Sequence, residues 1–217
     1  AASAAHLVSG ASDKRVGVYD GRTWALLRVQ EGHTGYVNCV DVSAELIVSG
    51  SADDTARVWA AADGALRHTL RHPNVVYAVA LAERALATGC DDKLVRLFDL
   101  QTGQLTRELR GHTGAVYCVA WGDGVLLSGA ADGTVRVWAA DAAAAGAQDA
   151  CVASLTGHSD VVRGVALSAA GGFVASMSRN EVITWTPAAG ARARRARGRG
   201  AGEARIGRRG GESARRR

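Results

Sequence analysis

Residues 111–139 read GHTGAVYCVAWGDGVLLSGAADGTVRVWA. The stretch opens on Gly-His, closes on Val-Trp, and holds three short runs of alternating apolar residues between Gly and Asp turns. Alternation over runs this short is the pattern of half-buried strands joined by hairpins, and it leaves no room for a three-turn helix. From His112 it is 16 residues to Ser128, 20 to Asp132 and 26 to Trp138. The same three steps lead from His33 to Ser49, Asp53 and Trp59, and from His72 to Thr88, Asp92 and Phe98. Internal spacings held across three copies define a repeat, with His-to-His distances of 39, 40 and 46.

Each unit predicts four strands. In the second they fall at residues 36–42, 45–49, 55–60 and 66–70, separated by turn sequences such as Ala62-Asp63-Gly64. Four short antiparallel strands per period of about 40 residues fit the blade of an all-β propeller. The chain divides into units at approximately 1–30, 31–70, 71–109, 110–156 and 157–187. Three are complete. The first keeps Ser9, Asp13 and Tyr19 in register but lacks its opening strand, with residues 24–29 supplying a further strand, and the fifth is expected to lack its last strand. The expectation is an incomplete ring, a fragment of a larger one of seven blades, with a small closed ring of five as the rival. The 46-residue step is explained by an Ala-rich surface loop at residues 141–149.

Charge is unevenly placed. Residues 188–217 hold eleven Arg against two Glu, a net of +9, so the whole-chain charge of +5 leaves the body at −4. This tail is almost wholly Ala, Gly and Arg, without apolar periodicity, and is expected to be disordered. The four cysteines, Cys39, Cys90, Cys118 and Cys151, form no Cys-x-x-Cys pair and no metal spacing with histidine, and read as buried free thiols of a reducing compartment. No signal peptide is evident, and the longest apolar run, residues 75–82, is too short to cross a bilayer. These features point to the cytoplasm, with the nucleus as the second compartment.

The Gly-His openings, the Ser-Gly-x-x-Asp turns and the Val-Arg-Val-Trp endings resemble WD repeats, the WD40 class of β-propeller, over residues 6–187. The resemblance implies a hydrogen-bonded latch in each blade: His33, Ser49, Asp53 and Trp59 in the second unit, and His112, Ser128, Asp132 and Trp138 in the fourth. The residue types suit it, since indole N–H only donates, hydroxyl does both, imidazole relays and carboxylate accepts. In the third unit His72, Thr88 and Asp92 are expected to join, with Phe98 unable to donate, a loss of about 1 kcal/mol. In the fifth, Ser176 lies 18 residues after His158, Trp185 follows after nine more, and Arg179 and Asn180 stand where Asp is expected, so that unit reads as degenerate.

A Ser/His/Asp set also invites a hydrolase reading. A catalytic triad occurs once, at a cleft, whereas this set recurs with every unit as a structural latch does. No Gly-rich phosphate loop and no zinc spacing accompany it, and neither an enzymatic activity, a cofactor, a metal nor a small-molecule substrate is expected. The resemblance instead implies docking of protein or peptide partners on the top face of the propeller, at positions three and five after each His and one before each turn Asp. The candidates among these positions are Tyr36 and Asn38 in the second unit, Tyr77 and Asp91 in the third, Tyr117 in the fourth, and Arg163 with Arg179 beside the slipped turn in the fifth, the remaining positions being Ala52, Val75, Ala115, Ala131 and Val161. Tyr and Arg are enriched at binding hot spots. Two arginines are too few for the phosphate grip of phosphodegron-reading F-box relatives. Arg57, Arg96 and Arg136, two residues before each Trp position, recur with the unit and read as strand-surface residues. The functional expectation is a non-catalytic scaffold within a multiprotein complex, such as a ubiquitin-ligase, signalling or RNA-processing assembly. The alternative is a nucleic-acid-associated protein that binds RNA, DNA or an acidic partner through the basic tail.

Overall fold

The structure is a computed structural model that describes residues 1–3, 5–122, 124–139, 151–168 and 173–186, and the backbone of 191–197. The described residues contain strands and no helix. The first sheet holds β1 (His6–Gly10), β2 (Val16–Asp20) and β3 (Leu26–Gln30). The second runs β4 (Val37–Val42), β5 (Leu46–Ser51), β6 (Thr55–Ala60), β7 (Leu66–Arg71), and the third β8 (Val76–Leu81), β9 (Ala85–Cys90), β10 (Val95–Asp99), β11 (Leu105–Leu109). The fourth holds β12 (Val116–Gly122), β13 (Val125–Ala130), β14 (Thr134–Ala139) and β15 (Cys151–Thr156), and the fifth β16 (Gly164–Leu167), β17 (Val174–Met177), β18 (Glu181–Thr186) and β19 (Ala191–Arg197). In every sheet the strand order follows the chain, each pairing antiparallel with the next.

Two boundaries differ from the sequence reading. Strand β19 pairs with β18 from Glu181↔Arg197 to Thr186↔Ala191, so the fifth sheet has the last strand that the sequence reading denied it, drawn from the stretch assigned to a disordered tail. Edge pairing uses backbone groups alone, which is why an Arg- and Ala-rich segment with no apolar alternation can still supply it. The rest of that tail, and the loop at 141–149, lie outside the described residues. Strand β3 starts at Leu26 rather than at residue 24, because Trp24 takes the left-handed turn position (φ 61°) that Gly64 (79°) and Gly103 (70°) hold in the next two units.

The core is a series of slabs between neighbouring sheets rather than one centre. Val16 and Val18 meet Ile47 and Trp59 between the first and second sheets. Val48 and Val58 meet Leu86 and Phe98 between the second and third, and Val95 and Leu97 meet Leu126 and Trp138 between the third and fourth. The second strands β5, β9 and β13 are buried on both faces, which explains their small Ser-Gly-Ser, Thr-Gly-Cys and Ser-Gly-Ala endings. At each internal seam a glycine of β1, β5, β9 or β13 receives a valine at or just before the first strand of the next sheet. A β-carbon on Gly10 would stand 2.5 Å from Val37, on Gly50 2.7 Å from Val76, on Gly89 2.7 Å from Val116 and on Gly129 2.5 Å from Val162. Gly89 also faces the Val116 carbonyl at 3.1 Å from that β-carbon, and a backbone atom cannot swing aside. Gly89→Ala is therefore expected to destabilise the chain by about 1–3 kcal/mol through overpacking, read as a lower thermal midpoint.

The sheets meet in sequence, β1 on β4, β4 on β8, β8 on β12 and β12 on β16. Among the described residues no hydrogen-bonded pairing joins the first sheet to the fifth, so hydrogen bonds do not close a ring. Residues 1–3 pair with the start of β1 through an Ala2↔Leu7 bridge, in the place where the other sheets carry their first strand.

Candidate functional site

The loops that join one sheet to the next, and the turns between second and third strands, gather at one end of the propeller. The latch residues pin this end. His33 Nδ1 lies 2.8 Å from Asp53 Oδ2 and its Nε2 2.8 Å from Ser49 Oγ, while Trp59 Nε1 donates to Ser49 Oγ at 3.1 Å. The fourth unit repeats this with His112–Asp132 at 2.9 Å, His112–Ser128 at 2.7 Å and Trp138–Ser128 at 2.8 Å. Burial pulls both imidazoles below their usual pKa, only partly offset by the carboxylate beside each, so they are neutral near pH 7. The chain of donors is then fixed: indole N–H to Ser Oγ, Ser O–H to Nε2, and Nδ1–H to the carboxylate. Asp53 also accepts from the Thr34 amide, the Thr55 amide and the Thr55 hydroxyl. Burial would raise its pKa, but these bonds and His33 outweigh it and hold it at about 2.

The third unit is wired differently. His72 Nε2 meets Thr88 Oγ1 at 2.9 Å, but its Nδ1 turns to the Leu70 carbonyl at 3.1 Å, and Asp92 does not join the latch. Asp92 is instead clamped by Arg96 at 2.6 and 3.1 Å, and Arg96 also reaches Glu108 at 3.2 Å. The cause is local: Pro73 has no N–H where Thr34 and Thr113 donate, and Leu94 has no hydroxyl where Thr55 and Thr134 donate. Arg96 is thus buried and ion-paired, not a strand-surface residue. Arg57 and Arg136 lie over the rings of Trp59 and Trp138, each at 5.8 Å.

The fifth unit is less degenerate than its spacing implies. His158 Nε2 still meets Ser176 at 2.7 Å and Trp185 Nε1 donates to Ser176 at 2.8 Å. A residue that the sequence reading passed over, Glu181, is buried and lies 3.7 Å from His158 Nδ1, with Ser159 donating to it at 3.2 Å. Its longer side chain brings a carboxylate to the place left by Arg179 and Asn180. In the first unit Ser9 and Tyr19 make a long contact of 3.5 Å at the surface.

The candidate partner-binding residues sit above this latched end. The register of the first strand slips between Val37 and Cys39, Val76 and Ala78, and Val116 and Cys118, so the extra residues are Asn38, Tyr77 and Tyr117. A bulge re-aims the side chain of its extra residue, which is how the position five after each His is turned out of the sheet. Tyr77 and Tyr117 come together, ring centroids 4.7 Å apart and tilted by 38°, and the Arg163 guanidinium lies 5.4 Å over Tyr117. Burial, followed by the charge of Asp91, raises the pKa of Tyr77, and Asn74 donates to Asp91 at 3.0 Å. Asn38 reaches across the seam to the Val76 carbonyl at 3.1 Å. Tyr36 is 59% exposed, and Arg179 is exposed in the turn before β18. The structure thus joins Tyr77, Asp91, Tyr117 and Arg163 in one row and leaves Tyr36 and Arg179 outside its ring and ion contacts. All four cysteines are free, and burial pushes the Cys39 and Cys118 thiols up to about 12. No helix among the described residues is long and apolar enough to cross a membrane.

Comparison with known proteins places these features. The profile of the WD domain, G-beta repeat, matches residues 24–60, 103–139 and 149–183, together half of the chain. The gap between the first two matches contains most of the third unit, the one with Phe98 and the diverted Asp92. The chain is 29% identical to human F-box and WD repeat domain containing protein 10B over 132 residues, which is 61% of this chain and 18% of that protein. It is 31% identical to small ribosomal subunit protein RACK1y of Oryza sativa subsp. japonica over 144 residues, 61% of this chain and 43% of that one. The chain therefore spans less than half the length of these relatives. Among solved structures it is similar to the computationally designed Ika8 protein, with a TM-score of 0.79 and 31% identity over 92% of this chain and 61% of that one.

Proposed function

The chain belongs to the WD40 repeat family, generally a non-catalytic interaction domain, and from that premise we propose that it is a scaffold whose partners dock on the latched end around Tyr36, Tyr77 and Tyr117. The observation that supports this most is the packing of Tyr77 on β8, Tyr117 on β12 and Arg163 just before β16 into one row at the surface. Tyr77 and Tyr117 sit at bulges of paired strands and pack on one another, so the row is preorganised and loses little side-chain freedom on binding. The Ser/His/Asp sets serve as latches in this reading and carry no reaction. A multiprotein complex in the cytoplasm or nucleus, of the ubiquitin-ligase, signalling or RNA-processing kind, is the setting proposed.

A second reading is electrostatic binding of RNA or DNA through the Arg-rich C-terminal segment, whose eleven arginines favour it. One experiment separates the two. Partner capture is compared between the intact chain, a Tyr36→Ala/Tyr77→Ala/Tyr117→Ala variant, and a chain ending at residue 197, which keeps β19. On the scaffold reading the triple variant keeps its circular dichroism but loses its partners, and the shortened chain retains them. If the shortened chain instead loses salt-sensitive RNA binding while the triple variant captures every partner, the scaffold reading fails.

A further inference from the structure

The row has a charge as well as a shape. Its neighbouring carboxylates are committed within the fold. Asp91 accepts from Asn74, Asp92 takes Arg96, and Asp132 takes His112 and Thr134. Asp160, on the loop that leads to Arg163, accepts from the Val161 amide at 2.7 Å. Arg163 is different. It is exposed, its amide is anchored to the Met177 carbonyl at 2.8 Å, its guanidinium lies over the Tyr117 ring at 5.4 Å from the centroid, and it forms no ion pair among the described residues. A guanidinium held over a ring by cation–π attraction and free of a carboxylate partner has N–H groups available to a planar anion. Beside it the Tyr77 and Tyr117 rings form a half-buried aromatic shelf, suited to an apolar side chain.

We propose that the Tyr77–Tyr117–Arg163 row binds an acidic peptide, one Asp or Glu carboxylate pairing with Arg163 and the adjacent apolar side chain lying on the two tyrosine rings. This rests on the latched end being the binding face. A carboxylate fits better than a phosphate because a single guanidinium offers one bidentate fork and Arg179 lies outside the row.

The test is a displayed library of random linear peptides panned on the whole chain, with selected peptides synthesised, labelled and measured by fluorescence polarisation. The selected peptides are expected to carry Asp or Glu next to Leu, Ile, Phe or Trp. Arg163→Ala should weaken them about tenfold or more, with Arg163→Lys between the two. Replacing the peptide's acid by Gln should cost the same and leave Arg163→Ala with no further effect. Because Arg163 is exposed, these variants keep the fold, which circular dichroism checks. Selected peptides without an acid, peptides indifferent to Arg163→Ala, or no selected peptide at all would overturn the carboxylate assignment, and so would a phosphoserine peptide that outbinds its Glu counterpart a hundredfold. Neutral peptides that still weaken with Tyr77→Ala or Tyr117→Ala would leave the binding face standing. Peptides indifferent to all three substitutions would remove both.

Discussion

Ser128→Ala is expected to lower the free energy of unfolding by about 3 kcal/mol, the largest effect of any single-atom deletion on the latched end. Ser128 is fully buried and holds two partners at once, the Trp138 indole at 2.8 Å and the His112 imidazole at 2.7 Å. Removing the hydroxyl orphans a buried donor and a buried acceptor, and each carries a desolvation cost of about 1–3 kcal/mol that nothing nearby offsets. The chain supplies its own controls. Thr88 serves only His72, because Phe98 has no N–H, so Thr88→Ala should cost about half as much. Ser9 makes one long surface contact of 3.5 Å, and Ser9→Ala should stay within about 0.5 kcal/mol. Urea titrations followed by tryptophan fluorescence rank the three. Equal losses for Ser128→Ala and Thr88→Ala would mean that the indole adds nothing to the latch.

The same contrast shows what could be read from the sequence and what could not. The steps of 16, 20 and 26 residues were legible because the latch fixes them physically: the hydroxyl must face both imidazole and indole across adjacent strands, and a one-residue slip would turn it away. Strand positions in the second unit followed within about two residues for the same reason. The diversion of Asp92 was written in Pro73 and Leu94, but only a count of the donors that hold this carboxylate in the other units makes those residues informative. Glu181 escaped because a longer carboxylate three residues late breaks the spacing while meeting the same histidine. Strand β19 had no side-chain signal at all, since edge pairing asks only for backbone. The packing of Tyr77, Tyr117 and Arg163 depends on bulges and on the seam between sheets, and a one-dimensional spacing specifies neither.

Stability should fall in two stages as the solution is acidified. Burial, reinforced by the Arg96 guanidinium, pushes the pKa of His72 down to about 4 in the folded chain, against about 6.5 when unfolded. Between these values the unfolded chain binds the extra proton, so the stability contributed by neutral His72 is complete above pH 6.5 and is lost as pH falls toward 4. That difference corresponds to about 3 kcal/mol. His33 and His112 shift in the same direction and deepen this first stage. The second stage belongs to the carboxylates. Asp53 and Asp132 are held at about 2, against 3.8 in their ordinary state, so their contribution is present above pH 3.8 and is lost as pH falls toward 2. Urea midpoints measured from pH 7.5 to 2.5 should therefore show a first decline beginning near 6.5, well above any carboxylate, and a second below 4. In His72→Gln, whose amide can still hydrogen-bond but does not titrate, the first decline should shrink and the second remain. A wild-type profile that is level from pH 6.5 to 4 would show that the latch histidines are not buried as neutral groups, and the donor order from indole to carboxylate would have to be reversed.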